Sequence, residues 1–261
     1  MTTRRPAGPG ETSWERVATW YDGWVGDHGS TYHQQLAIPA VLDLLQAQRG
    51  EAILDVGGGQ GVLAPSLVEA GARVTVVDAS ARLISAAKRR HRSLKGATFL
   101  VGDARRLPAL AGLEPASFDA AVFMLSIQDM DPLDDVVHGV DWALDDRARI
   151  VLLMTHPAFR QPRHSGWGTD EGRKLTYRRV DAYLGEMAVP MKSLGGGPPT
   201  RSFHRPISAY VNALADAGFA TDAMLELPDL PPNRRPGRAS RGDARANAEI
   251  PIFLGLRAVR G

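Results

Sequence analysis

Apolar runs and segments with helical spacing alternate along the chain from about residue 51. Five apolar runs predict strands, at 52–57, 73–78, 97–103, 118–125 and 148–155. Helical spacing appears between several of them, at 62–71, 81–94 and 131–144. Nearly continuous apolar strands that alternate with helices are typical of a parallel sheet covered on both faces. The pattern therefore predicts an α/β fold with a doubly wound, mostly parallel sheet.

The alternation stops after residue 156. A polar stretch rich in loop-forming residues extends over 157–206, and helical spacing resumes at 207–218. Two further apolar runs, 219–227 and 250–259, predict strands that pair as an antiparallel edge. The expected sheet therefore has seven strands, the last of them antiparallel.

Composition excludes several classes of protein. The 261 residues include no cysteine, which rules out disulfides, thiolate zinc sites and a cysteine nucleophile. The net charge of +2 is too small to indicate nucleic-acid binding. The Arg-rich stretch 231–247 is interpreted as a solvated loop, with a basic flap over an acidic or phosphorylated ligand as the alternative.

Hydropathy argues against a membrane protein. No apolar run approaches the roughly 20 residues that a membrane helix needs. The first residues lack the apolar segment of a signal peptide, so we expect a cytoplasmic protein whose first dozen residues are disordered.

The glycine-rich turn "LDVGGGQG" (54–61) carries the most specific signal. A phosphate-binding P-loop would end in Gly-Lys-Ser/Thr, but Val62 and Leu63 follow the last glycine. A dinucleotide fingerprint would place its third glycine at position 62, which is Val. S-adenosylmethionine (SAM) has no phosphate, and its ammonium group suits the carboxylate of Asp55. The turn therefore favours SAM, with an NAD(P)-dependent oxidoreductase as the rival.

Two more carboxylates follow strands on the same edge of the expected sheet. Asp78 ends the second strand, where a carboxylate can hold both ribose hydroxyls. Asp103 ends the third, where it can accept from an adenine amino group while the Ala104 N–H reaches a ring nitrogen. Each Asp alone would serve equally as a helix N-cap. Their combination with the glycine turn indicates an adenosyl site.

These motifs together resemble the class I SAM-dependent methyltransferases of the small-molecule "methyltransferase type 11" or UbiE-like kind. "LDVGGGQG", "VVDAS", "VGDARRLP" and "FDAAVFMLSIQDMDPLDDV" stand in the family's order and spacing. The resemblance implies a Rossmann-like core at 51–156, completed by 207–261, with SAM as cofactor. The cofactor residues that we expect on these grounds are Asp55, Gly57, Gly59, Gly61, Asp78, Ala79, Asp103, Ala104, Ser126 and Ile127.

One difference from a related group of methyltransferases restricts the class of methyl acceptor. Nucleobase amino methyltransferases carry an Asn/Asp-Pro-Pro-aromatic motif after the fourth strand, where this chain has "LSIQDM". Methylation of DNA or RNA amino groups is therefore disfavoured.

Residues 1–50 are expected to form the disordered tail and an N-terminal helical lid, as in the resembling family. Tyr21 and Tyr32 are the predicted lid contacts, because aromatic faces attract a sulfonium cation. Trp20 and Trp24, four residues apart, are interpreted as anchors of the helix on the sheet. His33 is a candidate base.

Residues 157–206 are predicted to form a cap over the acceptor pocket, because long ordered inserts are often functional. The predicted substrate contacts are Arg160, Arg163, Trp167 and His204. For the two arginines, loop-anchoring salt bridges are the alternative. His156, at the strand end, joins His33 and Tyr21 as predicted catalytic residues, with Asp129 a weaker candidate. The acidic residues at 129–135 are interpreted as a helix start, and no metal is expected.

The sequence therefore predicts a SAM-dependent methyltransferase acting on a small aromatic or heteroaromatic metabolite. C- or N-methylation of an indole or cyclic dipeptide in specialised metabolism is the narrower expectation. An O-methyltransferase, an RNA methyltransferase and a non-catalytic SAM-binding protein remain alternatives. The expected partner is a small-molecule acceptor, with no membrane association, nucleic acid disfavoured and a homodimer left open.

Overall fold

The computed structural model describes residues 12–191, 197–231 and 241–261. The predicted disordered tail lies outside the described residues, apart from its last member, Thr12. Residues 232–240 of the predicted Arg-rich loop also lie outside them. No helix in the described ranges is both long enough and apolar enough to cross a bilayer.

Eleven strands are found in the described residues. In chain order they are β1 (Ala52–Val56), β2 (Arg73–Asp78), β3 (Ala97–Val101), β4 (Phe118–Met124), β5 (Leu144–Thr155), β6 (Ser165–Asp170), β7 (Leu175–Val180), β8 (Met187–Pro190), β9 (Arg201–His204), β10 (Phe219–Pro228) and β11 (Pro251–Arg260). Seven of them form one sheet in the order β10-β11-β5-β4-β1-β2-β3. The five strands from β5 to β3 are parallel, and β11 runs antiparallel to both β5 and β10. The predicted seven-stranded doubly wound sheet with an antiparallel last strand is confirmed.

The helices are α1 (Ala18–Val25), α2 (Ile38–Leu45), α3 (Ala64–Glu69), α4 (Ala81–Arg90), α5 (Leu133–Ala143), α6 (Ile207–Asp216) and α7 (Arg241–Glu249). A π-helical segment, His33–Ala37, leads directly into α2. The start of α4 shows how local sequence sets an element: the Ser80 hydroxyl accepts from the Leu83 N–H (3.2 Å), and three basic residues occupy the last turn.

Two apolar layers cover the two faces of the sheet. Every residue of β1 is buried, because alternate side chains point to opposite faces. Leu54 packs in the layer that contains α5 and α6, whereas Ile53 packs in the layer that contains α2, α3 and α4. Both layers are interrupted at the carboxyl ends of the parallel strands, where the polar loops begin.

The sequence-based expectation of loops was wrong in two places. The insertion contains two antiparallel hairpins, β6–β7 and β8–β9. Residues 241–247, the end of the predicted Arg-rich loop, form most of α7. The hairpin strands are short and partly exposed, so they lack the apolar alternation that identifies a half-buried strand. Their stability depends on contacts with distant segments, such as the Thr176 hydroxyl donating to Asp243 of α7 (2.7 Å).

Candidate active site

The glycine turn connects β1 to α3 at the carboxyl edge of the sheet. Gly57, Gly59 and Gly61 all have positive φ angles, of 69°, 57° and 76°. A Cβ on Gly57 would lie 2.7 Å from the Ser126 Cβ, and one on Gly61 would lie 2.7 Å from a ring carbon of Phe99. At Gly59 no atom comes closer than 3.8 Å. Gly57 and Gly61 are therefore required for packing, and Gly59 leaves the backbone open to a ligand.

A cavity of about 740 Å³ opens above this turn. Its volume lies within the range of about 300–1,000 Å³ that is common for small-molecule sites. Nine of the residues predicted to act at the site line it: Tyr21, His33, Gly57, Gly59, Asp78, Ala79, Asp103, Ala104 and Ser126. Asp55, Gly61 and Ile127 are not in the lining, and Asp55 and Ile127 are buried next to it.

Asp78 is held by backbone donors. Its Oδ2 accepts from the Gly59 N–H (3.0 Å) and its Oδ1 from the Ser80 N–H (2.7 Å). Burial raises the pKa of Asp78 to about 6, although these two hydrogen bonds oppose the shift. The carboxylate is therefore fixed in position at the end of β2, in the cavity wall.

Asp55 lies directly beneath the turn and is 1% exposed. Neither carboxylate oxygen has a hydrogen-bond partner among the described residues. Burial, reinforced by the charge of Asp78, raises the pKa of Asp55 to about 7. A buried carboxylate without a partner is costly, and a cation bound nearby would relieve that cost.

Asp103 already has a strong partner. Its Oδ1 accepts from both the backbone N–H (3.0 Å) and the Nε (2.9 Å) of Arg105, and Oδ2 also bonds the guanidinium. Burial alone would raise the pKa of Asp103, but the hydrogen bonds and charge of Arg105 outweigh it and lower the pKa. A ligand amino group at this position would share the carboxylate with Arg105.

The N-terminal segment and the 3₁₀ turn Ile127–Asp129 meet across the cavity. The Trp14 Nε1–H donates to Asp129 Oδ2 (3.1 Å), and the Trp14 ring packs edge-on against Tyr21 with centroids 5.0 Å apart. Burial raises the pKa of Asp129 to about 7, against hydrogen bonds from Ser202 and Trp14. Burial raises the pKa of Tyr21 too, with further contributions from Asp129 and Asp78. These three residues form a recessed aromatic and acidic wall.

Trp20 and Trp24 do not line the cavity. Their rings stack on each other with centroids 5.9 Å apart, and Trp24 is 54% exposed. The Trp24 side chain is therefore largely in solvent, so the predicted anchoring of α1 on the sheet does not depend on it.

His33 lines the cavity as a neutral imidazole. The Ser30 N–H donates to its Nδ1 (3.3 Å), so the ring carries its proton on Nε2. Burial lowers the pKa of His33, which keeps the ring uncharged near neutral pH. In this tautomer Nε2 is a donor, which does not favour His33 as the base.

None of the four predicted substrate contacts lines the cavity, and two of them, Arg160 and Trp167, belong to a second cluster. The Tyr32 hydroxyl donates to Asp229 Oδ1 (2.8 Å), and an Arg160 nitrogen lies 3.4 Å from Asp229 Oδ2. The Arg160 guanidinium lies 5.5 Å from the centroid of the Trp167 ring. This cluster joins the lid to the first hairpin and the end of β10. For Arg160 the structure thus shows the alternative, a loop-anchoring ion pair, but with Asp229 as the partner.

His156 belongs to the same side of the molecule. Its Nδ1 accepts from the Ala158 N–H (3.2 Å), so Nε2 carries the proton and donates to Glu226 (2.9 Å). The His156 N–H donates to the Ile252 carbonyl (2.8 Å), which extends the pairing of β5 with β11 by one residue. Neither His156 nor any residue of the first hairpin lines the cavity.

His204 and Arg163 are also absent from the lining. His204 Nε2 donates to the Tyr183 carbonyl (2.7 Å), and Arg163 is exposed on a turn with φ of 69°. The second hairpin lines the cavity instead, together with the N-terminal segment. The lining residues that sequence reasoning missed include Trp14, Arg16, Pro190, Thr200, Arg201 and Phe203. The predicted lid indicated the region of Trp14 and Arg16, and only the length of the insertion indicated the region of the others.

Together, the fold and the cavity define a Rossmann-like protein with a site for an adenosyl ligand that lacks phosphates. Three observations fit SAM: the open approach at Gly59, the fixed carboxylate of Asp78, and the unpartnered Asp55 beneath the turn. The turn has no lysine for a phosphate.

Comparisons with known proteins agree. Residues 53–144 match the family described as "Methyltransferase domain". A demethylmenaquinone methyltransferase of Thermobifida fusca is 29% identical over 189 residues, which cover 68% of this chain and 74% of that protein. A ubiquinone biosynthesis O-methyltransferase of Xylella fastidiosa is 31% identical over 116 residues, covering 42% of this chain and 45% of that one. The crystal structure of a SAM-dependent methyltransferase from Mesorhizobium loti superposes with a TM-score of 0.66 at 25% identity, covering 90% of this chain and all of that one.

The family match, the relatives and the superposed structure together support a class I SAM-dependent methyltransferase. The expectations for fold, enzyme class and cofactor are confirmed. The roles of individual site residues stay predictions.

Proposed function

We propose that this methyltransferase acts on a small, flat aromatic or heteroaromatic acceptor that carries an ionisable O–H or N–H group. The observation that carries the proposal is Asp129, a recessed carboxylate with a pKa raised to about 7, in the cavity wall beside Trp14 and Tyr21. A carboxylate with that pKa is suited to remove a proton near neutral pH.

The chemistry of the surrounding wall supports a flat acceptor. Beyond the glycine turn the lining includes a group of apolar side chains beside its charged residues: Trp14, Pro190, Pro198, Pro199 and Phe203. Aromatic and proline surfaces bury planar rings with little loss of side-chain entropy. The names of the two relatives, demethylmenaquinone methyltransferase and ubiquinone biosynthesis O-methyltransferase, likewise point to quinone-type rings.

In this proposal the chain's residues bind SAM, orient the acceptor and remove its proton. SAM supplies an electrophilic methyl group when it is bound. Asp78 and Asp103 hold the adenosine, and Asp55 offsets positive charge above the glycine turn. The Trp14 N–H donates to Asp129 Oδ2, and the Asp129 carboxylate accepts the acceptor's proton. The aromatic wall excludes water and aligns the nucleophilic atom.

A screen with isotopically labelled SAM tests the proposal, with quinols, phenols and indoles as acceptors and mass spectrometry of the products. With the acceptor that is turned over fastest, Asp129→Asn should lower kcat by about 10²–10⁴-fold. Affinity for S-adenosylhomocysteine should stay unchanged. Asp134→Asn, an exposed carboxylate in the first turn of α5, is the matched control and should retain activity.

The pH dependence separates a base from a structural carboxylate. Because Asp129 must be ionised to accept a proton, wild-type kcat/KM should rise with pH up to about pH 7 and then level off. The residual activity of Asp129→Asn should lack that rise. Full turnover by Asp129→Asn, or no labelling of any quinol, phenol or indole, would overturn the proposal.

A further inference from the structure

The carboxylates and the arginines that line the cavity differ in whether they have hydrogen-bond or ion-pair partners. Each lining carboxylate has a hydrogen-bond or ion-pair partner: Asp78 has backbone N–H groups, Asp103 has Arg105, Asp129 has Trp14, Asp131 has Arg205, and Glu15 has Ser80 and Arg82. The acidic side of the cavity is therefore neutralised or hydrogen-bonded before any ligand enters.

Two lining arginines differ from these carboxylates. The guanidinium groups of Arg16 and Arg201 form no hydrogen bond, ion pair or ring contact with the described part of the chain. Both side chains are exposed at the cavity mouth. The two segments that carry them are joined, since the Arg201 backbone N–H donates to the Ser13 hydroxyl (3.2 Å). Two guanidinium groups without partners among the described residues therefore line the same cavity, on two segments that are hydrogen-bonded to each other.

SAM is a poor explanation for these cations. Its sulfonium is positively charged, so the two guanidinium groups do not attract that part of the molecule. Its single carboxylate belongs to the same end of the molecule as its ammonium, for which Asp55 beneath the glycine turn is the candidate partner. The hairpin that carries Arg201 belongs instead with Pro190 and Phe203, in the wall proposed for the acceptor.

We infer that the methyl acceptor carries a carboxylate, bound at the cavity mouth by Arg16 and Arg201. A guanidinium presents paired donors that match a planar carboxylate. The aromatic ring then extends inward toward Trp14 and Asp129. This inference rests on the proposed function and deepens it, since it limits the acceptors to aromatic acids.

Three probe molecules separate the contribution of the carboxylate to binding from that of the aromatic ring. Indole-3-acetate carries both, indole-3-acetamide keeps the ring without the charge, and cyclohexaneacetate keeps the charge without the aromatic ring. Calorimetric titration into protein saturated with S-adenosylhomocysteine, at low ionic strength, measures each affinity. Indole-3-acetate should bind wild type about tenfold more tightly than the amide, and cyclohexaneacetate should bind more weakly than indole-3-acetate.

The double variant Arg16→Gln/Arg201→Gln should reduce the preference for indole-3-acetate over the amide to within about twofold. Arg147→Gln/Arg173→Gln removes the same net charge from exposed arginines outside the cavity lining, and it should keep the preference. Thermal unfolding of both double variants checks that the fold is unchanged, as expected for exposed side chains.

The outcomes distinguish this inference from the proposed function. Equal wild-type affinity for acetate and amide would overturn the carboxylate while leaving the aromatic acceptor in place. An equal loss of the preference for indole-3-acetate in both double variants would also overturn the carboxylate inference, because a general effect of net charge would then explain the preference. Equally tight binding of cyclohexaneacetate, abolished by the cavity variant, would support the carboxylate and contradict the aromatic acceptor. No measurable binding of any probe would overturn both.

Discussion

Replacement of Asp55 by Asn should stabilise the ligand-free protein, and the gain should grow with pH. The carboxylate is buried without a partner among the described residues, and its pKa is raised from 3.8 to about 7. Between these two values the folded protein binds a proton that the unfolded chain has released. Stability therefore falls as pH rises through this window, and the loss is complete above about pH 7.

The size of the effect follows from the two pKa values. Each pH unit inside the window costs about 1.4 kcal/mol, so the loss between pH 5 and pH 8 is about 2–3 kcal/mol. The Asn variant carries no titrating group at this position and escapes that loss. Asp78, whose pKa is raised to about 6, contributes a slope of the same sign to both proteins, and the two slopes differ only by the repulsion between Asp78 and Asp55.

Guanidinium chloride unfolding of the ligand-free protein at pH 5 and pH 8 measures this difference. The free energy of unfolding of Asp55→Asn minus that of wild type should increase by about 2–3 kcal/mol between the two pH values. Asp43→Asn, at an exposed position on α2, should show no such change. A difference that does not vary with pH would refute the reasoning, since Asp55 would then titrate alike in both states.

Two further predictions concern the turn and the second cluster. Gly61→Ala should lose about 1–3 kcal/mol more stability than Gly59→Ala, because a Cβ at position 61 collides with Phe99 and a Cβ at position 59 does not. Gly59→Ala should instead weaken the binding of S-adenosylhomocysteine. Equal unfolding free energies for the two variants would contradict this. His156→Gln should keep turnover within about threefold while losing about 1–2 kcal/mol of stability, since His156 is hydrogen-bonded to Glu226 outside the cavity lining. A collapse of kcat with the fold intact would restore His156 as the base.

The cofactor half of the cavity was predictable because local sequence determines it. The glycine turn follows an apolar strand, and Asp78 and Asp103 end the next two strands, so the parallel arrangement alone brings them to one edge. Asp55 was also identified from its position before the turn. Its lack of a partner and its raised pKa depend on burial by distant segments, which spacing does not reveal.

The acceptor half was not predictable to the same degree. The chain leaving β5 continues its pairing with β11 through the hydrogen bond from His156 to Ile252, and this pairing between distant segments has no local sequence signal. The cluster of Arg160 and Trp167 was expected at the reaction centre, but the structure places it against Asp229. The second hairpin, with Arg201, took that place although its short strands have no apolar alternation.

A crystal structure of the protein with S-adenosylhomocysteine tests the assignment of this cavity most directly. The ribose hydroxyls should lie on Asp78, the adenine beside Asp103 and Ala104, and the sulfur should face the wall formed by Trp14, Tyr21 and Asp129. A ligand bound elsewhere, or a sulfur that faces the cluster of His156, Arg160 and Trp167, would contradict it.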